Sequence, residues 1–136
     1  MRDVAYVALG SNVGDRDGFL RVARQRINEL ATTRILKESG VEETAPIGPA
    51  GQGAYLNQML AVETELMPEA LLSALQAIEH EAGRTRGRRW GPRTLDLDIV
   101  LFETQRVSVP ALCVPHPEIA NRDFWRRQLA ELGASA

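Results

Sequence analysis

Residues 89–102 read RWGPRTLDLDIVLF. From Leu95 onward the pattern is that of a strand. Leu95, Leu97 and Ile99 alternate with Asp96 and Asp98, and an apolar run continues to Phe102. Aspartate is disfavoured in strands, so two of them at i and i+2 require a reason. Successive strand side chains point to opposite faces. Both carboxylates therefore leave one face, about 6–7 Å apart at Cα, while Leu95, Leu97 and Ile99 point into the core. Two carboxylates that close repel unless positive charge lies between them, and either arginine or a divalent cation serves. Hard cations such as Mg²⁺ take oxygen ligands, commonly one or two carboxylates plus substrate phosphates. The plainer alternative pairs one aspartate with a local arginine and leaves the other in water.

Working outward, this strand is the last of a series. Val4–Leu9 is a short apolar run ending at GSN, which reads as a buried strand and a turn. Phe19, Leu20, Ala23, Ile27 and Leu30 recur at helical spacing, with Asp15 or Asp17 as N-cap. Residues 34–41 give a weaker strand. TAPIGPAGQGA, residues 44–54, holds two prolines and three glycines and reads as a loop of functional length. Residues 55–66 alternate, with Leu56, Leu60 and Val62 on one face and Asn57 and Glu63 on the other, the pattern of a strand. Pro68 and Glu69 open a helix whose apolar face is Leu71, Leu72, Leu75, Ile78 and Ala82, and Gly83 ends it. Residues 121–132 place Trp125, Leu129 and Leu132 at helical spacing. The order is β-α-β, loop, β-α, loop, β, that of the ferredoxin-like fold.

The 136 residues suit one domain, expected over residues 1–136, with 44% hydrophobic and 25% charged residues and no low-complexity tract. A net charge of −2 argues against a general binder of nucleic acid or anionic membrane. No segment is long enough to span a membrane, and the N-terminus lacks the features of a signal peptide. The single cysteine, Cys113, excludes an intrachain disulfide and suits a reducing compartment, so a cytoplasmic protein is expected.

Charge is concentrated locally. Arg84, Arg86, Arg88, Arg89 and Arg93 share a ten-residue stretch broken by Gly87, Gly91 and Pro92. Guanidinium groups offer planar forks of donors to phosphate oxygens. Carboxylates for a metal beside such arginines form the layout expected for phosphoryl transfer. A solvated basic loop, or one gripping RNA phosphates, is the competing interpretation. Neither GxxxxGK[ST] nor GxGxxG occurs. Tyr55, Trp90 and Phe124 stand near the polar segments, where a flat heterocycle fits between rings while Asn57 reads its edge. His116, between Pro115 and Pro117, is either a phosphate contact or a surface histidine without a role.

Together these segments resemble a family. VALGSNVGDR at 7–16, YLNQ at 55–58, GRTRGRRWGPRTLDLDIVLF at 83–102 and VPHPEIANRDF at 114–124 are similar to 6-hydroxymethyl-7,8-dihydropterin pyrophosphokinase, over nearly the whole chain. The resemblance implies an α+β ferredoxin-like sandwich with three mobile loops over the site. It implies a Mg²⁺-dependent transfer of pyrophosphate from ATP to the hydroxymethyl oxygen of the dihydropterin, with release of AMP, in folate biosynthesis. Asp96 and Asp98 match the pair that binds two Mg²⁺ ions. Arg84, Arg86 and Arg93 match phosphate-binding positions, with Arg84 and Arg93 also in the catalytic set. Gln76, Glu79, Ile99, His116 and Arg122 match further ATP positions. Thr44, Pro46, Ile47, Tyr55, Asn57, Trp90 and Phe124 match the pterin pocket, with Tyr55 and Phe124 flanking the ring. Ala111 and Cys113 depart from the arginine and threonine that some members carry, and Gln128 stands where members usually have proline, ahead of a short tail. The partners implied are the two small substrates, with no nucleic acid, no membrane and a monomeric chain. The rival expectations are a pterin- or nucleotide-binding paralogue without turnover, and an RNA-binding module using the arginine loop.

Overall fold

A computed structural model describes residues 2–45, 54–83 and 95–134. In chain order its elements are β1 (Asp3–Ser11), α1 (Arg16–Asn28), β2 (Thr33–Glu38), β3 (Glu42–Thr44), β4 (Tyr55–Thr64), α2 (Pro68–Glu81), β5 (Asp96–Phe102), β6 (Val107–Val109), β7 (Leu112–Val114), a 3-10 helix (Pro117–Asn121) and α3 (Asp123–Glu131). The main sheet runs β2-β4-β1-β5, every pair antiparallel, and β3 extends the β2 side by pairing with the start of β4. This is the ferredoxin-like α+β arrangement, with β5 at one edge.

The local signals explain most boundaries. The Asp15 carboxylate accepts the Gly18 N–H at 3.1 Å and caps α1. A side chain at Gly18 would collide with that carboxylate, so the cap and the glycine require each other. Pro68 sits in the first turn of α2, and Gly83 ends it at φ +85°, a conformation other residues resist.

Two layers of helix cover the sheet. On one face Val7, Leu9, Leu60, Val62, Leu97 and Ile99 meet Leu20, Ala23 and Ile27 of α1 and Leu71, Leu75 and Ile78 of α2. On the other, Tyr6, Ala8, Met59, Ala61, Val100 and Leu101 meet Trp125 and Leu129 of α3 and Leu132 just beyond it. The register of β1 against β5 slips between Tyr6 and Val7. Val100 and the next residue, Leu101, both join the α3 side.

Two expectations need correction. The strand expected over 34–41 ends at Glu38, and after a break at Ser39–Val41 a further short strand, β3, follows beyond the expected range. At the break the Ser39 hydroxyl accepts the Met59 N–H at 2.8 Å in place of a ladder carbonyl, and Gly40 follows. The polar face expected for β4 is not polar throughout, since Met59 and Ala61 lie buried on it under α3. The hairpin of β6 and β7 and the 3-10 helix before α3 are additions to the elements read from sequence.

Candidate functional site

The α3 face of the sheet has two halves. Near Tyr6, Ala61 and Val100 it is apolar and lies with α3 in one packed cluster. Toward the other end the side chains turn polar. In register, Asn57, Gly10 and Asp96 form one row across β4, β1 and β5, and Met59, Ala8 and Asp98 form the next. Strand alternation puts Asp96 and Asp98 on this face, because Leu97 and Ile99 belong to the opposite core. Gly10 keeps the middle of the row low. A Cβ there would stand 3.3 Å from Asn57 Oδ1 and 3.4 Å from the Tyr55 ring.

On the pterin side of the expected site, Thr44, Tyr55 and Asn57 come together. Asn57 Nδ2 donates to Thr44 Oγ1 at 2.5 Å, which fixes the amide's orientation, and Thr44 is the register partner of Tyr55. The Tyr55 hydroxyl donates to Asp96 Oδ2 at 3.4 Å, linking this cluster to the carboxylate strand.

At the free edge of β5 the backbone is held from outside the sheet. The Leu97 N–H, between the two aspartates, donates to buried Glu79 Oε2 of α2 at 2.7 Å. The Val100 carbonyl accepts the His116 N–H at 2.8 Å. That second bond carries the His116 ring to 4.0 Å (Nε2) from Asp98 Oδ1. Nδ1 accepts the Glu118 N–H at 3.0 Å, so the proton of the neutral ring sits on Nε2, facing the carboxylate. Trp125 supports this corner from below, edge-on to the imidazole at 5.0 Å between centroids and with the Arg122 guanidinium 4.5 Å over its ring. The Arg122 Nε is buried and has no hydrogen-bond partner among the described residues. Phe124, half-buried, leans on Trp125 with centroids 6.4 Å apart.

Burial lowers the His116 pKa from its usual 6.5, the Asp98 charge opposes that, Arg122 reinforces it and Glu118 opposes it, with a net downward shift. Protonation would also remove the acceptor that caps the 3-10 helix. In the folded state the ring thus binds a proton less readily than in the unfolded chain. Its contribution to stability is full above about pH 6.5 and is lost as pH falls below that value. In metal-free protein, the ring-proton NMR titration of His116 is expected below 6.5, with a melting temperature that drops on acidification less steeply in His116→Gln. A titration midpoint at or above 6.5 would contradict this environment.

Asp96, Asp98, His116, Arg122 and Glu79 thus gather at one end of β5, and Thr44, Tyr55 and Asn57 across the row, with Phe124 on the Trp125 side. Ile99 faces the core, so only its backbone is open to a ligand, and Gln76 is exposed on α2. Pro46, Ile47, Arg84, Arg86, Trp90 and Arg93 lie outside the described residues. One contributor lies beyond the sequence reading: Trp125 reads there only as part of a helix stripe, and nothing in its neighbours signals an aromatic support.

Among the described residues no group of three or more His, Cys, Asp or Glu side chains is arranged around a metal position. A pair of partly exposed carboxylates on one face suits a hard cation that completes its shell with water and phosphate oxygens. No described helix is long and apolar enough to cross a membrane.

Comparison with known proteins shows the family. The family described as 7,8-dihydro-6-hydroxymethylpterin-pyrophosphokinase (HPPK) matches residues 6–134. A Bacillus subtilis protein named 2-amino-4-hydroxy-6-hydroxymethyldihydropteridine pyrophosphokinase is 45% identical over 132 residues, 97% of this chain and 79% of its own length. Proteins of the same name from Pseudomonas aeruginosa and Pseudomonas putida are 46% and 47% identical, over 93% and 82% of this chain and 78% and 92% of theirs.

Proposed function

The chain belongs to the HPPK family, and we propose that its site works as follows. The protein transfers pyrophosphate from ATP to hydroxymethyldihydropterin in folate biosynthesis. The β- and γ-phosphates leave together for the hydroxymethyl oxygen, and AMP departs. Asp96 and Asp98 hold two Mg²⁺ ions. When bound, the ions supply neutralisation of phosphate charge and a template for in-line displacement. Arg84, Arg86 and Arg93 bind the phosphates, with Arg84 and Arg93 aiding the transfer itself. His116, with its Nε2 proton beside Asp98, and the Arg122 guanidinium contact the nucleotide. Gln76 and the β5 edge at Ile99 complete the nucleotide side, while Glu79 keeps that edge in place. Tyr55 and Phe124 flank the pterin ring, Asn57 held by Thr44 reads its edge, and Pro46, Ile47 and Trp90 complete the pocket. The chain acts as a monomeric domain in the cytoplasm, without nucleic acid or membrane partners.

The observation that carries this reading is the polar row Asn57–Gly10–Asp96, with Asp98 and His116 beside it, in a chain that matches the family over residues 6–134. The test is incubation with Mg·ATP and 6-hydroxymethyl-7,8-dihydropterin. AMP and pterin diphosphate are expected in equal amounts. Formation of ADP, or no AMP at all, would overturn the reading; the second result is what a non-catalytic paralogue or an RNA-binding module would give.

A further inference from the structure

Arg16 opens α1, the end of a helix where positive charge is unfavourable. Its side chain does not lie along its own helix. It reaches to β3 and the start of β4, where Nη1 donates to Glu43 Oε2 at 2.7 Å and to the Ala54 carbonyl at 2.9 Å. Those anchors have informative neighbours. Glu43 directly precedes Thr44, Ala54 directly precedes Tyr55, and Thr44 and Tyr55 are paired across β3 and β4.

β3 has reason to need such a hold. It is three residues long, pairs only with β4, and buries none of its side chains fully. A ladder this short is weak. It is gripped from both helix layers. Glu43 points to the α1 side and meets Arg16, and Glu42 points to the α3 side and meets Arg127 at 2.8 Å. Of these two arginines, Arg16 also holds the start of β4, at Ala54.

We propose that Arg16 is a positioning residue for the pterin side of the site: by joining Glu43 to Ala54 it fixes β3 against the start of β4 and so sets the spacing of Thr44, Tyr55 and Asn57. The Asn57–Thr44 bond depends on that spacing. This role rests on the functional reading above. Among the described residues the hydrogen bonds and ion pairs of Arg16 go to Glu43 and Ala54 on the pterin side, so the effect falls on one substrate.

The test compares wild type with Arg16→Ala, Arg16→Lys and Glu43→Gln. For Arg16→Ala the KM for the pterin is expected to rise about tenfold, the size of losing one charge-assisted contact pair. The affinity for a non-hydrolysable ATP analogue should stay within about twofold, and the melting temperature should barely move, since exposed ion pairs add little to global stability. Arg16→Lys, a point charge able to hold one anchor, should recover part of the loss. Glu43→Gln, which keeps an acceptor but removes its charge, should show a smaller rise in the pterin KM than Arg16→Ala. Amide exchange at Glu43–Thr44 and Tyr55–Asn57 should quicken in Arg16→Ala, a readout independent of turnover. If wild type releases AMP and Arg16→Ala keeps the wild-type pterin KM and exchange rates, the positioning role is wrong and the activity stands. A parallel fall in both affinities with a lower melting temperature would equally refute it, as general loosening. If wild type releases no AMP, the functional reading fails, and unchanged exchange would then remove the hairpin clamp as well.

Discussion

Replacing Asp98 or Asp96 by asparagine is expected to lower AMP release by at least two orders of magnitude, roughly 2.7 kcal/mol of transition-state stabilisation. The substitution keeps size and hydrogen-bonding capacity and removes only charge. Both side chains are partly exposed on the α3 face, and their strand neighbours Leu97 and Ile99 anchor the backbone in the opposite core. Glu79 and His116 hold the outer edge through main-chain atoms, at Leu97 and Val100, and need neither carboxylate. The fold should therefore survive, and the melting temperature should stay level or rise slightly as two like charges become one. Loss of turnover with an intact melting curve is the diagnostic combination. Near-normal AMP release from either variant would remove the carboxylate pair from the chemistry.

The pair was legible because a strand's two-residue period is rigid. Once residues 95–102 were read as a strand, Asp96 and Asp98 had to share a face opposite Leu97 and Ile99. Asp15 and Pro68 were legible for a similar reason, since caps and first-turn prolines act within a few residues of themselves. Long-range information was not. β1 is apolar on both faces, so its sequence does not say that Val7 and Leu9 meet α1 and α2 while Tyr6 and Ala8 meet α3. The same ambiguity hid the burial of Met59 and Ala61. Residues 107–114 alternate Val107, Val109 and Leu112, Val114 around Pro110, a hairpin signal too short to stand out from a loop. Contacts through backbone atoms leave still less trace. Glu79 meets an amide 18 positions away and Arg16 a carbonyl 38 positions away, and amides and carbonyls are the same at every residue. The side chains of the candidate site were thus readable from sequence, while the parts that hold them in place were visible only in the fold.

The largest stability effect should come from Trp125. Its indole is 2% exposed and lies with Tyr6, Ala8, Met59, Ala61, Val100 and Leu101 in the second core, which among the described residues is covered by α3 and the residues beside it. Trp125→Ala would leave a void in a layer one helix thick, at a loss of about 3–5 kcal/mol. For a chain of this length that corresponds to a fall in melting temperature of about 10–20 °C. The damage should also reach the site in a definite direction. The indole supports the His116 ring and carries the Arg122 guanidinium, two contacts on the nucleotide side, against one on the pterin side, the edge contact with Phe124 at 6.4 Å. Below the transition, nucleotide binding should therefore weaken more than pterin binding, the reverse of the pattern expected for Arg16→Ala. Trp125→Phe, which keeps an aromatic ring, should recover most of the stability and part of the nucleotide affinity. Differential scanning calorimetry and titration with an ATP analogue measure both effects. An unchanged melting temperature in Trp125→Ala would mean that α3 does not close the second face of the sheet.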